Sequence, residues 1–277
     1  MPRIAAIQLA SGPNVSANLT EAARLIGKAA AAGAKLVVLP ENFSMMGVSD
    51  SDVLRIAEQS ELGPIQDFLA EQARQHGVWL VGGTIPIKAQ NPAKVRAACL
   101  VFNDAGKRVA RYDKHHLFDV YLEEGKQTYA ESQTIEAGNE LAVVETPFGK
   151  LGLAVCYDLR FPELFRRMLD EGMEIIALPA AFTAITGKAH WETLVRARAI
   201  ENLCYVVAAA QGGYHVSGRQ THGDSMIVDP WGVILDRLPY GPGVISAEFN
   251  RNHLTHTRRN FPAIQHRKFT CTAKIKG

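Results

Sequence analysis

The fold class can be read from one stretch of the chain, LGLAVCYDLRFPE, which covers residues 151–163. The apolar run Leu151–Val155 predicts a buried strand, and Pro162 is typical of the first turn of a helix. Cys156 stands between them, at the sheet edge where open α/β sheets place their ligands, and a following helix N-terminus favours a thiolate. On this stretch alone, an inert core cysteine is an equally good interpretation.

Two further predicted strands end at charged residues. The run Lys35–Leu39 reads as a second buried strand, and Pro40 cannot extend a central ladder, so Glu41 falls at a carboxyl edge. Lys114 follows a third β-like run, Arg108–Tyr112. Each charge taken singly is typical of a solvated loop. Together with the thiol, the two charges predict a single site.

A short internal sequence similarity, which we call the echo, indicates how the chain is organised. Residues 35–43 (KLVVLPENF) resemble residues 174–182 (EIIALPAAF), each a strand that closes with Leu-Pro and is followed by an aromatic residue. The echo suggests two related halves, with Phe43 and Phe182 lining one cleft. Alternating strands and helices predict two sheets packed face to face with helices outside. No linker breaks the chain, so we expect one domain over residues 1–277.

Several elements are predicted with definite bounds. Gly63-Pro64 and Gly77 delimit a helix at Pro64–His76. Apolar spacing predicts a helix at His190–Asn202, and an apolar run predicts a strand at Ile175–Leu178. Residues 115–138 have little periodicity, which predicts a long functional loop or lid.

Composition excludes several classes of protein. The 277 residues are 47% hydrophobic and 21% charged, with a formal net charge of +2, too small to indicate nucleic-acid binding. Four scattered cysteines without a CxxC pair are typical of a reduced, intracellular chain. The sequence shows no signal-type segment and no run long enough to span a bilayer, so we expect a cytoplasmic protein without membrane contacts.

Metal and cofactor signals are weak. His115 and His116 are adjacent and would point to opposite faces of an extended segment, and His215 and His222 lack companion ligands. The glycines Gly82-Gly83 lack a phosphate-loop pattern. We therefore predict neither a metal nor a cofactor.

Three stretches together resemble the motifs of the carbon–nitrogen hydrolase (nitrilase) superfamily, in the family's order: LPENF at residues 39–43, YDKHHLF at 112–118 and CYDLRFPEL at 156–164. The resemblance runs over nearly the whole chain. It implies a four-layer αββα sandwich, an α/β fold, and a catalytic triad of Glu41, Lys114 and Cys156. It also implies self-association into a homodimer or higher homo-oligomer.

The resemblance implies an additional catalytic glutamate. The residue that fits best is Glu131, while Glu123 and Glu124 remain alternatives because this loop varies in length. In the family, the region of His190 lies near the active site, so His190 is a candidate for substrate contact.

The residue types suit amide hydrolysis. Amide carbon is a poor electrophile, so a covalent route needs a strong nucleophile, Cys156, and a proton shuttle, Glu41. Lys114 would stabilise the oxyanion, together with the backbone N–H of Tyr157. Glu131 would orient Lys114 and the substrate amide.

Within the superfamily, the chain most resembles the deaminated glutathione amidase branch, on residues 42–44, 186–192 and 265–267. That branch implies a small-molecule amide substrate, hydrolysed to 2-oxoglutarate and Cys-Gly. Omega-amidase activity on α-ketoglutaramate is the closest alternative. A nitrilase, an N-carbamoyl amide hydrolase and a non-catalytic scaffold fit less well. A peptide substrate would need a cation for its carboxylate, and Lys188, Arg196 and the basic C-terminal region are candidates.

Overall fold

Strands and helices alternate along the chain in the computed structural model, which describes residues 1–123 and 127–271. The strands are β1 (Arg3–Gln8), β2 (Ala34–Val38), β3 (Trp79–Val81), β4 (Ile85–Lys88), β5 (Val95–Phe102), β6 (Arg108–Asp113), β7 (Asp119–Leu122), β8 (Gln127–Ala130), β9 (Val143–Thr146), β10 (Gly149–Leu153), β11 (Ile175–Ala180), β12 (Tyr205–Ala210), β13 (Gly212–Tyr214), β14 (Gln220–His222), β15 (Ser225–Val228), β16 (Ile234–Leu238) and β17 (Gly243–Glu248). The helices are α1 (Val15–Ala31), α2 (Asp52–Arg55), α3 (Pro64–His76), α4 (Pro162–Asp170), α5 (Ala184–Asn202) and α6 (Arg251–Asn260).

Two sheets form the centre of the fold. The first has the strand order β17-β1-β2-β3-β5-β4, with β6 also paired to β5, and the second has the order β16-β15-β12-β11-β10-β9. The sheets face each other through β1 and β2 of the first and β11, β12 and β15 of the second. Helices α1 and α3 pack together on the outside of the first sheet, and α4 and α5 on the outside of the second. The four-layer αββα sandwich predicted from the sequence is confirmed.

The layers form because successive side chains of a central strand point to opposite faces of the sheet, and both sets are apolar. In β1, Ile4 and Ala6 belong to the core between the sheets, together with Val206 of β12. Ala5 and Ile7 point the other way and pack with residues of α1 and α3. A strand that is covered on both faces reads as a continuous apolar run, as the predicted strands do.

The predicted helix at Pro64–His76 is confirmed at both ends. Pro64 occupies its first turn, where a missing N–H costs no hydrogen bond, and Gly77 closes it with a left-handed φ of +58°.

No helix of the described residues is long and apolar enough to cross a membrane.

Helix α5 begins earlier than predicted, at Ala184 instead of His190. The hydroxyl of Thr183 caps the helix by accepting a hydrogen bond from the N–H of Thr186. Gly187 weakens the helical signal in the sequence, but a Cβ there would come within 2.3 Å of His222. The glycine therefore permits close approach of strand β14. Helix α6 escaped prediction because its sequence is largely polar.

Two other expectations need correction. Residues 115–138 are not a plain loop, since β7 and β8 form a hairpin there, made of strands too short to show periodicity. Strand β11 does not stop at Leu178 but continues through Pro179 to Ala180. Pairing with β10 ends at Ala177, so a proline two residues later interrupts no ladder on that side.

Gly83 fixes the approach of the β3–β4 connection to the end of β2. Its φ is +56°, and a Cβ would lie 2.1 Å from the carbonyl oxygen of Pro40, the residue before Glu41. We expect Gly83→Ala to lower the free energy of unfolding by about 2–5 kcal/mol, through left-handed strain plus overpacking. Chemical denaturation measures the loss. Gly77→Ala is the matched control, because its φ is +58° and a Cβ would meet nothing within 4 Å; equal losses would contradict the steric argument.

Candidate active site

The charged and nucleophilic residues singled out in the sequence meet at one end of the two facing sheets. Glu41 lies beyond the end of β2, Lys114 directly follows β6, and Cys156 lies beyond the end of β10. All three line a single cleft, and Glu131, the first residue after β8, lines it as well. The sequence-based expectation that strand ends bring these residues together is therefore met, while their catalytic roles remain predictions.

Lys114 sits between two carboxylates. Its Nζ lies 2.8 Å from Oε1 of Glu41 and 2.8 and 2.9 Å from the two carboxylate oxygens of Glu131. The side chains of Lys114 and Glu41 are only 2% and 4% exposed. Burial alone would lower the pKa of Lys114, but the charges of Glu131 and Glu41 together raise it well above its usual value. The ammonium is therefore a permanent positive charge.

Of the three candidates for the additional glutamate, the structure places Glu131 in the cleft next to Lys114. Glu131 contacts Lys114 and also accepts a hydrogen bond from the N–H of Phe118 at 2.7 Å. Glu123 lies exposed in the turn after β7, away from the cleft wall. Glu124 lies outside the described residues. Burial, opposed by the charge of Lys114, raises the pKa of Glu131.

Cys156 occupies a strained backbone position. Its φ is +50°, a left-handed conformation that costs a residue with a Cβ about 1–2 kcal/mol. The residue opens a 3₁₀ turn, Cys156–Arg160, and α4 begins only at Pro162. Asn42, next to Glu41, is also left-handed, with a φ of +55°. Such strain concentrates at functional sites, where the surrounding structure holds it in place.

The environment of the thiol differs from the sequence-based expectation. Burial and the neighbouring Glu41 raise the pKa of Cys156 well above its usual value, although Lys114 acts in the opposite direction. The sulfur accepts a weak hydrogen bond from the N–H of Ala181 at 3.4 Å. The expected preference for a thiolate is therefore wrong for the resting site, because burial and the charge of Glu41 outweigh the effect of Lys114. The thiol must lose its proton to a base during reaction.

Asp158 ties the lysine segment to the cysteine turn, a role that the sequence did not reveal. This fully buried carboxylate accepts hydrogen bonds from the Tyr112 hydroxyl at 2.8 Å and from the backbone N–H of His116 at 3.0 Å. It also lies 2.7 Å from Nδ1 of His116 and accepts the N–H of Val155 at 2.8 Å. A signal existed, since Asp158 and His116 each stand two residues after a triad position.

The cleft contains about 1030 Å³ of empty space, open solvent at its mouth included. Phe182 lines it, as predicted, together with Tyr157, Phe118 and Tyr129. Phe43 does not: its ring is fully buried in the core and stacks on Phe68, with centroids 6.5 Å apart. The echo between the two halves therefore misled at this position, because β2 ends before Pro40 whereas β11 continues past Pro179.

Two arginines supply positive charge to the wall, Arg160 and Arg219. Neither forms an ion pair with a carboxylate of the described residues. Arg160 places its guanidinium carbon 5.2 Å from the ring centroid of Phe182, and its Nη1 lies 3.1 Å from Nδ1 of His190. His190 is exposed and approaches the cleft only through this arginine.

The cations proposed from sequence lie elsewhere. Lys188 is exposed on α5 and is not part of the cleft wall. Arg196 donates to the carbonyl of Gly232 and approaches Glu192 at 3.5 Å. In the basic C-terminal region, Arg258 donates to backbone carbonyls and Arg267 pairs with Asp170. Arg219 was missed because it stands in no motif.

The raised thiol pKa has a measurable consequence. Iodoacetamide reacts with the thiolate, so its rate with Cys156 should still rise at a pH where an ordinary thiol has levelled off. Glu41→Gln removes the negative charge that raises this pKa, so the rate profile should move to lower pH. Inactivation rates across a pH series measure both effects. Glu123→Gln is the control and should leave the profile in place; a shift to higher pH in Glu41→Gln would contradict the assignment.

Comparison with known proteins identifies the family. The carbon–nitrogen hydrolase family profile matches residues 3–259. A Yersinia enterocolitica protein named deaminated glutathione amidase is 42% identical over 267 residues, 96% of this chain and 93% of that protein. Its human namesake is 41% identical over 97% of this chain and 83% of its own. The Caenorhabditis elegans NitFhit structure aligns with a TM-score of 0.90 at 36% identity, covering 100% of this chain and 69% of that one. The chain therefore belongs to the carbon–nitrogen hydrolase family.

Proposed function

We propose that this protein is a cysteine-dependent amidase that hydrolyses deaminated glutathione to 2-oxoglutarate and Cys-Gly. The observation that carries the proposal is the pair of arginines, Arg160 and Arg219, that line the cleft beside Cys156 without a carboxylate partner among the described residues. Deaminated glutathione carries one carboxylate on its keto-acid end and another on its peptide end. Guanidinium groups bind carboxylates strongly and with defined geometry. The names of the relatives agree with this substrate.

In the first half of the reaction, Glu41 takes the thiol proton while the sulfur of Cys156 attacks the amide carbon. The carbonyl π electrons move to the oxygen, and Lys114 stabilises the resulting oxyanion together with the backbone N–H of Tyr157. As the carbonyl reforms, the carbon–nitrogen bond breaks and Glu41 returns its proton to the nitrogen. The peptide leaves as a neutral amine, and the acyl group remains as a thioester.

In the second half, a water molecule replaces the amine. Glu41 takes a proton from this water as its oxygen attacks the thioester carbon. The carbon–sulfur bond then breaks, the proton returns to the sulfur, and the acid product leaves. Glu131 acts as a positioning residue, because it holds the ammonium of Lys114 with both carboxylate oxygens at 2.8 and 2.9 Å.

The raised pKa of Cys156 supports this division of labour. A thiol that keeps its proton at rest needs a base within reach, and the carboxylate of Glu41 itself contributes to the raised pKa. A permanent charge on Lys114 suits oxyanion stabilisation but not proton transfer. The base is therefore assigned to Glu41 and the electrostatic role to Lys114.

Omega-amidase activity is the alternative with specific support, because α-ketoglutaramate contains the same acyl group. That substrate has a single carboxylate and would leave one of the two arginines unused. We therefore expect kcat/KM for deaminated glutathione to exceed that for α-ketoglutaramate by about 10-fold or more, roughly what one charged contact supplies. Steady-state assays of the purified protein measure both values.

Cys156→Ala is the control for these assays and should remove both activities without changing the circular dichroism spectrum. Equal efficiencies, or a preference for α-ketoglutaramate, would move the assignment to omega-amidase. Residual turnover by Cys156→Ala above about 1% of wild type would exclude the thiol as nucleophile.

The electrostatic role of Lys114 is separately testable. Lys114→Met should lower kcat by about 100-fold or more, the scale of losing an oxyanion donor. Lys188→Met, which removes an exposed lysine outside the cleft, is the matched control and should have little effect. Circular dichroism checks that Lys114→Met is folded. A loss of less than about 5-fold in a folded variant would contradict the assignment.

A further inference from the structure

We infer that Arg219 is the specificity residue for the leaving group, and that it binds the terminal carboxylate of the departing peptide. The inference rests on the proposed function and adds to it a division of labour between two arginines. Arg160 serves the carboxylate of the acyl part, which every keto-amide substrate shares. Arg219 serves a carboxylate that only the peptide substrate possesses.

The first argument is the unused binding capacity of Arg219. Its Nη2 donates to the carbonyl oxygen of Ala181 at 2.8 Å, and its guanidinium carbon lies 5.3 Å from the ring centroid of Tyr129. These two contacts hold the guanidinium in place, and the described residues supply no other hydrogen-bond partner for its remaining N–H groups. Its Nε is buried without a hydrogen-bond partner in the described part of the chain. A preordered guanidinium of this kind binds a carboxylate at low entropic cost.

The second argument is the reach of each arginine. Arg160 belongs to the same 3₁₀ turn as Cys156, and its guanidinium lies over the rings of Tyr157 and Phe182 in the cleft wall. Arg219 stands on the separate β13–β14 hairpin, together with Ser217, an exposed residue that also lines the cleft. In the substrate, a short keto-acid chain separates the amide carbon from one carboxylate, and a whole dipeptide separates it from the other. We therefore assign the longer arm to the hairpin, where the exposed Ser217 continues the cleft wall towards solvent.

A purely structural role makes a different prediction. The carbonyl of Ala181 accepts from Arg219 while the N–H of the same residue donates to the sulfur of Cys156 at 3.4 Å. If Arg219 only holds Ala181 in place, its loss would displace the nucleophile and lower the rate of hydrolysis of every substrate equally. If it binds the leaving group, the loss falls on substrates with a peptide carboxylate. The pattern across substrates therefore separates the two roles.

The experiment compares three substrates on the purified full chain: deaminated glutathione, its analogue ending in glycinamide, and α-ketoglutaramate. Wild type should prefer the acid over the glycinamide analogue by about 10-fold or more in kcat/KM, the worth of one charged contact. In Arg219→Gln this ratio should collapse towards one. Arg219→Lys should restore part of it, because the charge returns without the planar fork.

Two controls frame the result. Arg160→Gln should lower kcat/KM for all three substrates, which share the keto-acid end, and leave the acid-to-amide ratio intact. Lys188→Gln removes an exposed cation outside the cleft and should change neither the rates nor the ratio.

Three outcomes would overturn the inference. A wild-type enzyme that does not distinguish the acid from the glycinamide, or an Arg219→Gln variant that slows all three substrates equally, leaves the amidase function standing and removes the role of Arg219. A wild-type enzyme that turns over α-ketoglutaramate but not deaminated glutathione defeats the proposed function itself, and the inference with it.

Discussion

The interaction on which the rest of the site depends is the buried contact of one ammonium with two carboxylates. Lys114 joins three segments that are distant in sequence, since Glu41 follows β2, Lys114 follows β6 and Glu131 follows β8. Removing one partner of such a buried group typically costs about 3–5 kcal/mol, because an uncompensated charge is left behind. The cluster therefore fixes the position of the β7–β8 hairpin relative to the first sheet. It lies at the place where the chemistry is proposed to occur.

The second sheet contributes the sulfur, and its position depends on a different set of contacts. Asp158 links the turn of Cys156 to the segment of Lys114 through His116 and Tyr112. Ala181, at the end of β11, contacts the sulfur with its N–H and Arg219 with its carbonyl. Arg219, which we propose selects the leaving group, and the nucleophile Cys156 therefore contact the same residue, Ala181. Changes at Arg219 and Cys156 are therefore expected to be non-additive.

Much of this arrangement could be predicted from the sequence, because strand ends are marked by local signals. Apolar runs, Pro40 and Pro162 located the ends of β2 and β10 closely enough to place Glu41 and Cys156 at one edge. The family motifs then connected these residues to Lys114. The features that escaped prediction depend on contacts between distant segments. Nothing in the sequence around Arg219 indicates which side chains face it, and Asp158 is marked only by its position two residues after Cys156. Phe43 and Phe182 occupy equivalent positions in the repeat, yet only Phe182 reaches the cleft.

The left-handed backbone at Cys156 bears on how such a site persists in a marginally stable protein. With a φ of +50°, this position would suit glycine or asparagine better than cysteine. Folded domains are stable by only about 5–15 kcal/mol, so a cost of about 1–2 kcal/mol is a noticeable part of the total. A chain selected for robustness alone would have little reason to keep a β-carbon there. Activity and stability therefore oppose each other at this residue, and any thermostabilised version of the enzyme must gain its stability elsewhere in the fold.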